Sequence, residues 1–262
     1  MRVARVNGAA LHWREDGDSA GFPVVFANSL GTDLRLWDKL VALLPRGLRL
    51  IRFDKRGHGL SDCPDAPYAM DDLVADTAAL LDMLGVKNCV FVGLSVGGMI
   101  GQGLAARRPD LIRALVLSNS AARMGDPVMW QTRIDAIRQG GIEALADPVM
   151  ERWFAPEFRA TDELCAWRNM LTRTPAEGYI GTCQAIAGAD LTASTRSLTL
   201  PALAIAGSED GASPPALVEA TADMIQGSRF AVIQGAGHLP CVEDPDAYAT
   251  LLIPFLKEHA HV

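Results

Sequence analysis

Lysine is scarce in this chain. Lys39, Lys55, Lys87 and Lys257 are the only four among 262 residues, so arginine supplies most of the 24 basic side chains. Set against 31 acidic residues they leave a formal charge of -7. That balance excludes the concentrated basic surface a polyanion needs, and no nucleic-acid partner is expected. Long apolar runs are also missing. The opening MRVARVNGAALHWRED alternates and carries charge, so neither a secretory leader nor a membrane span is expected, and the cytoplasm is the default location. The five cysteines (Cys63, Cys89, Cys165, Cys183, Cys241) include no CxxC pair. That spacing argues against a zinc site or a disulfide framework and fits buried thiols in a reducing compartment. Repeats and low-complexity tracts are absent. What the chain does have is apolar content, 49% of residues, enough to bury a large core as one domain with an inserted lobe.

Five short, nearly continuous apolar runs read as strands covered on both faces: Pro23 to Asn28, Leu48 to Asp54, Cys89 to Ser95, Ile112 to Asn119 and Pro201 to Gly207. Helical patterns alternate with them over Trp37 to Leu44, Met70 to Leu84, Val96 to Arg107, Pro215 to Ile225 and Ala247 to Glu258. Such alternation predicts a mostly parallel sheet with helices on both faces. An edge hairpin is expected at the start, turning at Asn7-Gly8. The alternation stops between about Ala121 and Thr199, where the pattern is helical and carries Trp130, Trp153, Phe154, Phe158 and Trp167. The organisation this implies is a core in two parts, 1–120 and 200–262, with a helical lid, 121–199, over the carboxyl ends of the strands.

One hydroxyl stands among glycines where a buried strand gives way to a helix, in FVGLSVGGMIGQ. Gly93-Leu94-Ser95-Val96-Gly97 reads G-x-S-x-G, and in that context it is a nucleophile elbow: the turn is too sharp for side chains beside it. A serine hydroxyl is a weak nucleophile and needs a base, which in turn needs a group to orient it. Two later loops can supply them. GSEDGASPP follows one apolar run and offers Glu209 and Asp210; AGHLPC follows another and offers His238. Of the other histidines, His12, His259 and His261 are expected to face solvent.

On these motifs the chain resembles the alpha/beta hydrolase fold family over nearly its whole length. The resemblance implies an eight-stranded sheet, places the triad acid at Asp210 rather than Glu209, and makes Ser95, Asp210 and His238 the catalytic set. His58 lies in DKRGHGLSD, which resembles the turn after the family's fourth strand and so implies a structural task. It also implies an oxyanion hole of two backbone N–H groups, one from Val96 and one from Leu30 in the loop ANSLGTDLRLW, where Gly31 bends the chain. Within the family, FANSLGTDLRLWD, FDKRGHGLSD and the lid segments NSAARMGDPVMWQTRIDAI and MERWFAPEFR are similar to the 3-oxoadipate enol-lactonases of the beta-ketoadipate pathway. That similarity implies a small carboxylated enol lactone as partner, opened through an acyl-enzyme without metal or organic cofactor.

The substrate's carboxylate then needs a cation. Trp130 and Arg133, three apart on one predicted helix, are candidates to meet it, with Trp153 and Arg152 as further ones. A carboxylesterase or a C–C bond hydrolase of ring-fission products would use the same triad, and a hydrolase-like sensor of small lactones is a third possibility. A monomer or small homo-oligomer is expected.

Overall fold

A computed structural model describes residues 1–260. Eight strands form one sheet: β1 (Arg2–Val6), β2 (Ala9–Gly17), β3 (Phe22–Ala27), β4 (Leu48–Phe53), β5 (Cys89–Leu94), β6 (Ile112–Ser118), β7 (Ala202–Gly207) and β8 (Arg229–Ile233). Their spatial order is β1-β2-β4-β3-β5-β6-β7-β8. The β1–β2 hairpin and its pairing to β4 are antiparallel, and the rest of the sheet is parallel. The hairpin turns where expected, with Asn7 and Gly8 both at positive φ (46° and 78°), as a two-residue turn matching strand twist requires.

Helices α1 (Asp38–Val41), α2 (Met70–Met83) and α3 (Val96–Arg107) connect the first strands. After β6 the chain is helical and strandless until β7: α4 (Pro127–Gly140), α5 (Ala146–Trp153), α6 (Pro156–Arg159), α7 (Leu164–Thr172), α8 (Ala176–Ala187) and α9 (Thr192–Arg196). Then come α10 (Pro215–Ala222), α11 (Pro240–Glu243) and α12 (Pro245–Ala260). Among the described residues no helix is long and apolar enough to cross a membrane.

The strands are apolar on both faces because both faces are covered: Val24, Val25, Phe26, Val90, Phe91 and Val92 have no exposure at all. Some expectations need correction. The helix read from Trp37 to Leu44 is a 3-10 turn, Leu34–Trp37, followed by the single turn of α1. Asp33 caps that turn through the Arg35 N–H, while Trp37 is drawn into the core against Phe26 and Tyr248. Cys63 and Cys165 are exposed rather than buried. His12 does not face solvent; its Nδ1 lies 2.8 Å from Asp54 Oδ2. His259 packs edge-on against Phe255 with only 14% of its side chain exposed. His261 lies outside the described residues.

Topology fixes where a ligand can sit. From β3 the chain moves outward to β4, then returns past β3 to β5, so β3 and β5 are neighbours whose connections leave in opposite directions. The crevice beyond the carboxyl ends of such a pair is the standard binding place of an open α/β sheet. It opens between the loop after β3 and the turn after β5.

Candidate active site

Strand β5 ends at Leu94 and α3 begins at Val96, leaving Ser95 to make the entire turn. Its φ of 58° and ψ of -120° lie where side-chain-bearing residues are strained. The turn closes because its flanks are bare. A Cβ on Gly93 would strike the Gly97 carbonyl, and one on Gly97 would strike the carbonyl of Ala27 at the end of β3. The Ser95 carbonyl accepts from Ser120 Oγ at 2.7 Å. As the first residue of α3, Val96 has an N–H with no acceptor inside the helix.

His238 and Asp210 reach the same crevice from the loops after β8 and β7. The His238 N–H donates to the Trp153 carbonyl at 2.7 Å, and its Nδ1 meets Asp210 Oδ2 at 2.9 Å. Asp210 is itself held in place. Its Oδ1 accepts from the N–H groups of Ala212 (2.6 Å) and Ser213 (2.9 Å), and its Oδ2 from Asn119 Nδ2 at 2.8 Å. Burial pushes this carboxyl up, but His238, Asn119 and Ser213 together carry it below the ordinary aspartate value. It is therefore a carboxylate at neutral pH. Glu209, one residue earlier, is exposed and accepts from Ser208 Oγ. Asn119, which the sequence reading passed over, carries a usable signal: a polar side chain just after a buried strand, as Asp210 lies in the loop after β7.

The imidazole's other nitrogen, Nε2, lies 3.4 Å from Ser29 Oγ, a contact no motif announced. Among the described residues no hydrogen bond joins it to the Ser95 hydroxyl, though Ser95, Ser29, Leu30 and His238 border one cavity. That cavity has a volume of about 60 Å³.

The loop after β3 is held from beneath. Gly31, at φ 74°, donates its N–H to His58 Nε2 at 2.9 Å. Burial, reinforced by Lys55, keeps His58 well below the usual histidine value and hence neutral. This is the structural task expected of it. Glu243 is a further tie: its carboxylate accepts from Gly237 N–H (2.8 Å) and Ala155 N–H (2.9 Å), joining the His238 loop to the helical segment. Burial pushes its carboxyl up to about 7.

Helices α4 and α5 bring the roof of the cavity. Trp130 is buried with its Nε1 donating to the Met124 carbonyl at 2.7 Å, and the Arg133 guanidinium lies 5.1 Å over its ring. Arg133 also donates to Tyr179 Oη at 3.4 Å. Trp153 is buried beside Phe154. Arg152 is held below the ordinary arginine value by burial and then by Arg133. Two arginines thus line one small cavity, neither in salt-bridge contact with a carboxylate among the described residues, though the charge of Asp210 partly supports Arg152.

Residues 23–245 match the family model for the alpha/beta hydrolase fold, and the chain belongs to that family: it is a hydrolase. Among curated proteins, 3-oxoadipate enol-lactonase 2 of Acinetobacter baylyi is 34% identical over 91% of this chain and 90% of that protein. Among solved structures, the enol-lactonase of Burkholderia xenovorans LB400 superimposes with a TM-score of 0.94 at 39% identity, covering 98% of this chain and all of that one, 100%. A thermophilic esterase of Thermogutta terrifontis, solved with malate bound, gives a TM-score of 0.92 at 27% identity over 99% of this chain and 100% of that one.

Proposed function

We propose that Ser95 is the nucleophile of an acyl-transfer reaction, with His238 as its base and Asp210 as the group that orients and charges the base. The observation that carries this reading is the strained serine at the switch point, facing the same cavity as an imidazole already paired to a buried carboxylate. Similarity to enol-lactonases and esterases supports ester-bond hydrolysis as the coarse activity. The hydroxyl must turn toward Nε2 for attack, and catalytic hydrogen bonds of this kind tighten when substrate binds.

In this scheme Ser95 attacks the acyl carbon as His238 takes its proton. The N–H groups of Val96 and Leu30 receive the oxyanion, each contributing about 3 kcal/mol. The imidazolium next protonates the leaving oxygen, and water enters through the same base to release the acid. With an enol as leaving group the product ketonises, which makes opening irreversible.

For the substrate, we infer a small enol lactone bearing a carboxylate, that of 3-oxoadipate enol-lactone, in the breakdown of aromatic compounds. Arg133 and Arg152, half-buried and without a carboxylate in salt-bridge contact among the described residues, support an anionic ligand, because a cation drawn out of water gains from an opposite charge. The small cavity supports a compact one. Trp130 and Trp153 serve as its apolar walls.

A carboxylesterase is the second reading, favoured by the likeness to the Thermogutta terrifontis esterase. Spectrophotometric loss of the enol lactone, measured beside a panel of p-nitrophenyl esters, separates the two. The lactonase reading predicts lactone turnover at least about 100-fold above the best ester in kcat/KM; fast ester cleavage with an inert lactone would overturn it.

A further inference from the structure

Lys55 is 3% exposed and lies beneath the loop that follows β3. Its ammonium donates to the Ser29 carbonyl at 2.6 Å and stands 3.5 Å from the Thr32 carbonyl. The Ser29 carbonyl and the Leu30 N–H are the two ends of one trans peptide, and in a trans peptide they point in opposite directions. A cation gripping the carbonyl therefore turns the N–H away from itself, toward the side where Leu30 borders the cavity with Ser95 and His238. It also polarises the amide, drawing electrons onto the oxygen and leaving the N–H a stronger donor. Among the described residues the Leu30 N–H has no acceptor.

We propose that Lys55 is a positioning residue of the hydrolytic reaction: through the Ser29 carbonyl it aims and strengthens the Leu30 N–H that meets the developing oxyanion. The inference rests on the acyl-transfer reading above. Holding the loop needs only neutral partners, and these are already present: the Ser29 carbonyl also accepts from Thr32 Oγ1 at 3.0 Å and from the Thr32 N–H at 3.4 Å, and His58 accepts from the Gly31 N–H. A cation does more, because its field acts through the peptide on the charge forming at the other end.

The charges around Lys55 fit this task. Burial pushes its ammonium down to about 7, while Asp54 and Asp33 hold it up. His58 faces it as a neutral ring. Asp54 is itself fixed by the Leu34 N–H and by His12, and Asp33 by Arg35. Negative charge growing beyond the Ser29–Leu30 peptide favours the protonated amine, so the ammonium is most strongly held when it is needed.

The test has three arms. Fluorophosphonate labelling followed by peptide mass spectrometry asks first whether Ser95 is the reactive serine; failure here removes the acyl-transfer reading, whereas success leaves the lysine question to the variants. Lys55→Met removes both charge and donor, and Lys55→Gln keeps a neutral donor. Both are expected to lower kcat by about 10- to 100-fold while KM stays within about threefold. Both should also weaken by a similar factor a trifluoromethyl ketone, which forms a hemiketal oxyanion on the serine. A Lys55→Gln enzyme with wild-type kcat, or losses confined to KM, would reduce Lys55 to a loop anchor and overturn the proposal.

Should the buried variants not fold, Asp33→Asn supplies the decision: asparagine caps as well as aspartate, and what is lost is the supporting charge together with the ion pair to the largely exposed Arg35. The proposal expects an alkaline fall in wild-type kcat as Lys55 loses its proton, and expects Asp33→Asn to move that fall to lower pH by about 0.5. A fall that does not move overturns it.

Discussion

Ser95, Asp210 and His238 are 4%, 5% and 2% exposed, and backbone groups fix each of them: the elbow turn, the Ala212 and Ser213 N–H groups, and the Trp153 carbonyl. Arg133 and Arg152, on α4 and α5 at the same cavity, are only partly buried. One rests on a ring and a tyrosine hydroxyl, and the other has no ion-pair partner among the described residues. The rim of the sheet is held by covalent geometry and short polar contacts; the roof is held by side-chain packing. On the proposed reading, the difference means that reaction type and substrate choice are stored separately. The rim can be kept rigid while the roof is altered, and changes to each should separate in the kinetics.

The largest expected effect lies at the rim. Asp210→Asn keeps the side chain's size but removes the charge and turns one of its two accepting oxygens into a donor, so the imidazole loses the partner that fixes its tautomer. As a result kcat should fall by about 10⁴-fold with little change in KM. Steady-state kinetics on the lactone checks it, and a loss below about tenfold would mean that the rim does not act as a unit.

Next comes the support under the rim. Because the Lys55 ammonium in the folded chain titrates at about 7 instead of 10.5, the unfolded state holds a proton the native state lacks between those pH values. Stability therefore rises with pH across that window and carries the full cost of the buried charge below it. The window amounts to roughly 5 kcal/mol at about 1.4 kcal/mol per pH unit. Urea unfolding of wild type and Lys55→Met between about pH 7 and 10 should show the wild type gaining on the variant as pH rises; parallel curves would contradict the burial argument.

The roof gives the smallest effect and the sharpest contrast. Arg133→Met and Arg152→Met should each raise KM for a carboxylated lactone by about 10- to 50-fold, the worth of a charge-assisted hydrogen bond. Hydrolysis of an uncharged ester should change less than about threefold. Equal losses on both substrates would erase the division between rim and roof.

Much of the rim was legible in the sequence because its signals are local. A strand apolar on both faces, a glycine-flanked serine and the start of a helix follow one another within Cys89 to Arg107, and these are the bounds of β5 and α3. Asp210 and His238 follow apolar runs in the same way. What was not legible depends on contacts set by topology. Ser29 meets His238 across 209 residues, and Lys55 reaches the Ser29 carbonyl across 26. A lysine inside a turn motif reads as solvated until the fold closes over it. His12 was misread for the same reason, since its partner Asp54 arrives with the neighbouring strand. In the helical segment the pattern shows helices but the reading did not place their ends, although Gly141 at φ 70°, Pro156, Pro175 and Gly188 mark several of them.

The central claim is that acyl transfer passes through the Ser95 hydroxyl. Acid-quenching the enzyme during turnover of a slowly hydrolysed ester, followed by peptide mass spectrometry, tests it most directly. The account predicts an acyl adduct on Ser95 that disappears in Ser95→Ala along with activity. An adduct on Ser29 instead, or a Ser95→Ala enzyme that still turns over, would contradict it.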